Sequence, residues 1–175
     1  MQKAVKSQKR VDLIESIIDD IRNHEKFDNN IKRTSPEKEI QKDIFQRLEK
    51  KSLKPIVQNY LGCSTKHAEE IVTTKFKWES DKNTTLNNFN RFGLNHRADA
   101  TLEIDGFTIA IEIKKGNLKE GIGQSLLYSS VYDFVIFIYV DYTPDFRVRD
   151  SILRKEEQDI INKLWDAHNI KIEII

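Results

Sequence analysis

The sequence predicts a mixed α/β domain, a central sheet flanked by helices, with an added helical segment at the N-terminus. Three observations carry this. Isoleucines recur at helical spacing through the first fifty residues. Two alternating segments flank Asp105-Gly106, a strong hairpin signal. The run 134–140 is apolar at every position and lies between two helix-like segments, as a strand covered on both faces does.

Composition sets the frame. The chain has 175 residues, with 29 Lys and Arg against 28 Asp and Glu. A chain of this length buries roughly 70% of the surface its unfolded form exposes, so it needs no metal or disulfide staple. Charged residues make up 33% but nearly cancel, so any nucleic-acid surface has to be a local patch. The lone Cys63 excludes an internal disulfide, a four-cysteine zinc site and a thiolate-held iron–sulfur cluster; it is read as structural, in a reducing cytoplasm. The longest apolar run, 134–140, is far short of the about 20 residues that span a membrane. The lysine-rich start leads into an amphipathic pattern containing acids, unlike a signal peptide. A soluble, cytoplasmic protein without membrane partners is expected.

Taken in order, residues 11–23 set Ile14, Ile17, Ile18 and Ile21 on one face and Asp12, Glu15, Asp19 and Arg22 on the other, an amphipathic helix. Residues 24–33 read as a polar connector, so 1–34 form a helical extension and 35–175 the main domain. A second helix opens at Thr34-Ser35-Pro36-Glu37. Either Ser35 caps it with Pro36 in the first helical position, or Thr34 and Glu37 form a capping box. It passes Ile40, Ile44 and Leu48 to about Lys51, Lys54-Pro55 interrupts it, and another helix runs to Leu61-Gly62, where glycine ends it. Residues 64–74 predict a further helix, and Phe76 and Trp78 a short strand. The stretch 81–95, with five Asn, reads as a long surface loop within an insertion at about 52–95. Strands at 97–104 and 107–114 follow, then a helix over 117–131 capped by Asn117, the strand 134–140, one amphipathic helix over 150–168 (Ile152, Leu153, Ile160, Ile161, Leu164, Trp165) and a last strand at 170–174. There is no internal repeat.

A two-residue turn fixes register. Ile104 then faces Phe107, Leu102 faces Ile109, Ala100 faces Ile111 and Ala98 faces Ile113, a wholly apolar face. The other face opposes Glu103 to Thr108, Thr101 to Ala110, Asp99 to Glu112 and Arg97 to Lys114. Asp99 and Glu112 become direct neighbours, with Cβ atoms about 4.5–5.5 Å apart. Opposed like charges destabilise a sheet unless a cation or a shared proton lies between them. Two carboxylates, a main-chain carbonyl and water suit Mg²⁺, and Lys114 places an ammonium on the same face. A solvated hairpin face, its acids neutralised by Arg97 and Lys114 as surface ion pairs, explains the same letters, and spacing alone weighs the two equally.

The order of elements adds to this. Asp99, twelve further residues, Glu112-Ile113-Lys114 at the end of an apolar strand, then a helix and a buried strand resemble the PD-(D/E)XK nuclease superfamily, the restriction-endonuclease-like fold, over about residues 35–140. The resemblance implies that Asp99 and Glu112 hold Mg²⁺, with Mn²⁺ as a substitute, that the Ile113 carbonyl assists, and that Lys114 is catalytic in hydrolysis of DNA phosphodiester bonds, an endonuclease ahead of an exonuclease. Gln124 and Tyr128, one helical turn apart, resemble the Gln-x-x-x-Tyr motif of the RecB-type branch, whose side chains support the active site and contact nucleic acid. Members tend to carry a Glu on the first core helix that reaches the metal. Glu37, on the stripe of Ile40 and Ile44, is favoured over Glu39, with a capping role weighed equally. Gly121 and Gly123 suggest close backbone approach to the sheet or to a phosphate, or a frayed first turn. Ala98 stands where the signature has Pro, and the insertion before Arg97 is expected to decide the substrate.

The remaining candidates are weaker. His24, His67, His96 and His168 include no pair at metal-ligand spacing; His96, beside Arg97, is a candidate for the phosphate path. No phosphate-loop, dinucleotide or nucleophile-elbow motif is present. Lys75, Lys77, Lys82, Arg91, Arg97, Lys114, Lys115 and Lys119, interleaved with Phe76, Trp78, Phe89 and Phe92, could hold a phosphate backbone and stack bases, or form a solvated face over core aromatics. Restriction, mobile-element defence and recombination or repair all use such domains. The competing class is a non-catalytic nucleic-acid-binding or assembly module that keeps the fold. Many relatives act as dimers, so a homodimer or a larger defence or repair complex is a possible partner arrangement alongside DNA.

Overall fold

The computed structural model describes residues 5–27, 35–78, 89–142 and 147–175. Five strands form one sheet: β1 (Phe76–Trp78), β4 (Ala100–Ile104), β5 (Phe107–Lys115), β6 (Phe134–Val140) and β7 (Ile170–Ile174), in the order β1-β4-β5-β6-β7. β1 pairs antiparallel with β4 and β4 antiparallel with β5, whereas β5 with β6 and β6 with β7 pair in parallel, so the sheet is mixed. The Asp105-Gly106 turn adopts positive φ at both positions, 50° and 73°, the mirror-image turn that matches strand twist. The Tyr60 hydroxyl donates to the Asp105 carboxylate at 2.9 Å and pins that turn.

Helices cover both faces. α1 (Gln8–Phe27), α2 (Glu37–Arg47), α3 (Leu53–Leu61) and α4 (Thr65–Lys75) contribute to one apolar cluster with Phe134, Ile136, Ile138 and Val140 of β6. α5 (Leu118–Tyr128), α6 (Arg147–Ile152) and α7 (Lys155–His168) contribute to another with Val135, Phe137 and Tyr139. The alternation of β6 between two clusters is what a strand apolar at every position requires. α1 buries Leu13, Ile14, Ile17, Ile18 and Ile21 in the same cluster as α2 and the sheet. Cys63 is a free, partly buried thiol packed against that cluster.

Several expectations change in detail. α2 begins at Glu37 with Pro36 in the extended cap position (φ −55°, ψ 144°), and no side chain caps it, so Ser35 is not the cap; Thr34 lies outside the described residues. Pro55 does not break the chain's helical course. Pro55 has no N–H to donate, and just before it Leu48–Ser52 widen into a π-helical turn, which leaves the ring in the first turn of α3. The loop expected over 81–95 holds a second, two-stranded sheet, β2 (Phe89–Arg91) and β3 (Leu94–His96), joined by Phe92-Gly93; residues 81–88 lie outside the described residues. The single helix expected over 150–168 is two. Leu153, 75% exposed, and Arg154 leave the helix, and the Gln158 carboxamide donates to the Ile152 carbonyl at 2.6 Å to close α6. The helix expected to run to residue 131 ends at Tyr128, after an N-cap in which Asn117 accepts from the Glu120 N–H.

The hairpin register is as expected from Ile104↔Phe107 to Ala100↔Ile111, and there the ladder stops. Asp99 is a bend, and its Oδ2 accepts the Ile113 N–H at 2.8 Å. In a continuing ladder that N–H would donate to the Ala98 carbonyl, so the side chain has replaced the main chain as acceptor. The pairings Ala98 with Ile113, Asp99 with Glu112 and Arg97 with Lys114 are therefore not made; Ala98 turns to the opposite cluster, beside Ala110.

Candidate functional site at the end of the central strand

β5 carries the site because its last residues alternate faces beyond the end of β4. Glu112 is 1% exposed, and Lys114 follows on the same face. The Lys114 Nζ lies 3.4 Å from Glu112 Oε1 and 3.7 Å from Glu37 Oε1. The other oxygen, Glu112 Oε2, is buried without a hydrogen-bond partner. Burial, and then the negative charge of Asp99, push the Glu112 carboxyl up to about 8, against the pull of Lys114. Lys114 is drawn down by burial but raised on balance by the charges of Glu112, Glu37 and Asp99.

α2 supplies the floor. Glu37 Oε2 accepts the Lys115 N–H at 2.7 Å, and the Lys115 ammonium donates to the Ser35 carbonyl at 2.7 Å, which fastens the start of α2 to the end of β5. Glu37 thus bonds the end of the strand and stands beside the lysine; the capping-box alternative needs Thr34, which lies outside the described residues. One turn along, the Gln41 Nε2 donates to Asp99 Oδ2 and to the Ile113 carbonyl, both at 3.0 Å, and to Glu37 Oε1 at 3.4 Å. Sequence reasoning missed Gln41. Its signal was available: it stands four residues from Glu37, on the same helical stripe.

α5 supplies the wall. The Tyr128 hydroxyl donates to the Arg97 carbonyl at 2.8 Å and lies beside Glu112; burial first, and then the charges of Glu112 and Asp99, keep that phenol protonated. Gln124 Oε1 is a second buried oxygen without a hydrogen-bond partner. A Cβ on Gly121 would sit 2.3 Å from the Phe137 ring and 3.1 Å from Lys114 Cγ, so the expected close approach to the sheet is made there. Gly123 meets nothing within 4 Å, and close packing does not account for it.

Asp99, Glu112, Lys114, Glu37 and Tyr128 are thus linked through contacts around the end of β5, joined by the Ile113 carbonyl and Gln41. The acceptors are hard oxygens of the kind Mg²⁺ and Mn²⁺ take, and Glu112, with one buried oxygen unpartnered and its carboxyl pushed up by burial and Asp99, is short of positive charge; on these grounds the residues fit a divalent cation. Among the described residues, no three His, Cys, Asp or Glu side chains are grouped as a metal site, and the fit rests on two carboxylates and a carbonyl.

Other sequence candidates fall elsewhere. Phe76 and Trp78 are core residues, and the Trp78 indole donates to Glu49, so neither offers a face to a base. Lys75 pairs with Glu103 at 3.1 Å. His96 stacks on Phe89, with ring centroids 5.5 Å apart, and its Nε2 lies 3.3 Å from the Arg91 carbonyl. Lys82 lies outside the described residues. Among the described residues no helix is long and apolar enough to cross a membrane. Comparison of the chain with protein-family models, with curated proteins and with solved structures finds no match.

Proposed function

We propose that this chain is a metal-dependent nuclease of the PD-(D/E)XK type, with the restriction-endonuclease-like fold, that hydrolyses DNA phosphodiester bonds. The observation that carries the reading is a carboxyl buried to 1% exposure beside a second acid, with one oxygen orphaned and an ammonium 3.4 Å from the other. A purely structural Glu at this depth would cost less as a neutral residue, and a lysine held among three carboxyl groups suits a place where more negative charge arrives.

In this reading Asp99, Glu112 and the Ile113 carbonyl hold Mg²⁺ or Mn²⁺. The bound ion supplies an activated water and offsets charge on the scissile phosphate. To hold the ion, Glu112 would release its carboxyl proton to solvent. Lys114, steadied by Glu112 and Glu37, stabilises the charge that grows on the phosphate. Gln124 and Tyr128 stand as the Gln-x-x-x-Tyr pair, with Tyr128 bracing the Arg97 carbonyl beside the bend that aims Asp99. A cytoplasmic role in restriction, mobile-element defence or repair, acting alone, as a homodimer or within a larger complex, belongs to the same proposal.

The second reading is a non-catalytic nucleic-acid-binding or assembly module. It is favoured by Gln41, which already satisfies both Asp99 and the Ile113 carbonyl. Incubating supercoiled plasmid, linear duplex, branched and single-stranded DNA, and RNA, with the protein in Mg²⁺, Mn²⁺ or EDTA separates the two. Metal-dependent cutting that Glu112→Ala and Lys114→Ala both abolish supports the nuclease; binding without cutting of any substrate supports the module.

A further inference from the structure

The β2–β3 hairpin comes just before the Asp99 bend in the chain, and its tip carries exposed apolar side chains. Its tip residue Phe92 is 86% exposed and Leu94 63% exposed. Phe92 also adopts φ 54°, a left-handed conformation that costs a bulky side chain of this kind energy. Burial gives nothing back for that strain at Phe92. The root of the hairpin is fixed: Phe89 stacks on His96 and meets Tyr128 and Tyr132 edge to face, with ring centroids 5.9 and 6.2 Å away. Two residues separate His96 of β3 from Asp99, and Phe89 packs on Tyr128, so the hairpin is an arm built on the same α5 tyrosine that braces the site.

Charge points to what the arm meets. From Phe89 to Ala98 the chain contains Arg91 and Arg97 and no acid, in a protein where acids nearly equal bases overall. Asn90 and Asn95, paired across the hairpin and both exposed, add donors and acceptors. An aromatic face at the tip of a basic, asparagine-bearing arm is the chemistry that stacks on a nucleobase while its flanks meet phosphate and base edges. In an intact duplex both faces of each base are covered by neighbours, so such a face finds a partner only where bases are unstacked.

We propose that Phe92 stacks on an unpaired base next to the strand at the Asp99–Glu112 site, so that the substrate is single-stranded DNA or a flap, bulge or junction rather than continuous duplex. This rests on the nuclease reading. The test is fluorescence anisotropy in EDTA, with a labelled single-stranded oligonucleotide and the duplex of the same sequence, on the wild type, Phe92→Asn and Phe92→Trp. Asn suits left-handed backbone, so Phe92→Asn keeps the turn and its melting temperature. It weakens single-strand binding about tenfold and leaves duplex binding within about twofold. Phe92→Trp has its emission quenched by the single strand and not by the duplex. Equal affinity of the wild type and Phe92→Asn for the single strand, equal loss on both DNAs, or unquenched Phe92→Trp overturns the proposal. Sedimentation that finds a wild-type dimer and a Phe92→Asn monomer, with DNA binding unchanged, makes the arm a contact between copies and overturns it too. If the wild type cuts DNA while Phe92→Asn changes neither binding nor cutting, the arm's role fails and the nuclease stands; if the wild type binds no nucleic acid in EDTA and cuts none in Mg²⁺ or Mn²⁺, both fail.

Discussion

Replacing Glu112 by Gln removes one titration and little else, because the amide keeps the shape of the acid. The folded-state value of about 8 lies above the 4.5 of an ordinary Glu, so the folded protein holds this proton more tightly than the unfolded chain does. The resulting stability is fully present below pH 4.5 and is lost as pH rises through 8. At 1.36 kcal/mol per pH unit the difference amounts to about 5 kcal/mol as an upper limit, comparable with the whole stability of many domains. Urea denaturation of wild type and Glu112→Gln at pH 5, 6.5 and 8.5 reads it, and the difference between the two proteins cancels the titration of groups remote from Glu112. The wild type should lose several kcal/mol across this range relative to the variant. Parallel curves would mean that Glu112 is charged in the folded state, and the description of the site as short of positive charge would be wrong.

Three further outcomes follow from contacts around the site. Gly121→Ala drives a methyl group into Phe137 and should destabilise the fold by about 1–3 kcal/mol in chemical denaturation, whereas Gly123→Ala, facing open space in a helix, should stabilise it by up to about 1 kcal/mol. Tyr128→Phe takes the donor from the Arg97 carbonyl and should cost about 1–2 kcal/mol, and cleavage should fall further than thermal unfolding accounts for, since the Asp99 bend loosens. Gln41→Leu removes the donor shared by Asp99, the Ile113 carbonyl and Glu37; it should lower metal-free stability by about 1–3 kcal/mol, read by melting in EDTA, and Mn²⁺ should restore more stability to this variant than to the wild type.

Legibility in the sequence followed the range of the forces involved. The Asp-Gly turn, the asparagine cap at position 117, the glycine end at position 62 and the all-apolar strand β6 are decided within a few residues, and each was readable. Two of the failures share a cause, a side chain taking a main-chain partner. Asp99 captured the Ile113 N–H and ended the ladder early, and Gln158 closed α6 where periodicity ran on. The Phe92-Gly93 turn hid in an asparagine-rich stretch because Phe is an unusual occupant of a positive-φ position. At the site the residues brought together were legible, while their arrangement was not. Asp99 and Glu112 are near neighbours by way of a bend rather than by cross-strand register, and Gln41 between them was unseen.

Titration calorimetry of Mn²⁺ into the protein at pH 7, repeated in buffers of different ionisation enthalpy, tests the central claim most directly. A cation taken up by Asp99 and a protonated Glu112 binds one per chain and releases close to one proton, and Glu112→Gln releases none. No binding, or binding with no proton released by the wild type, would contradict the account.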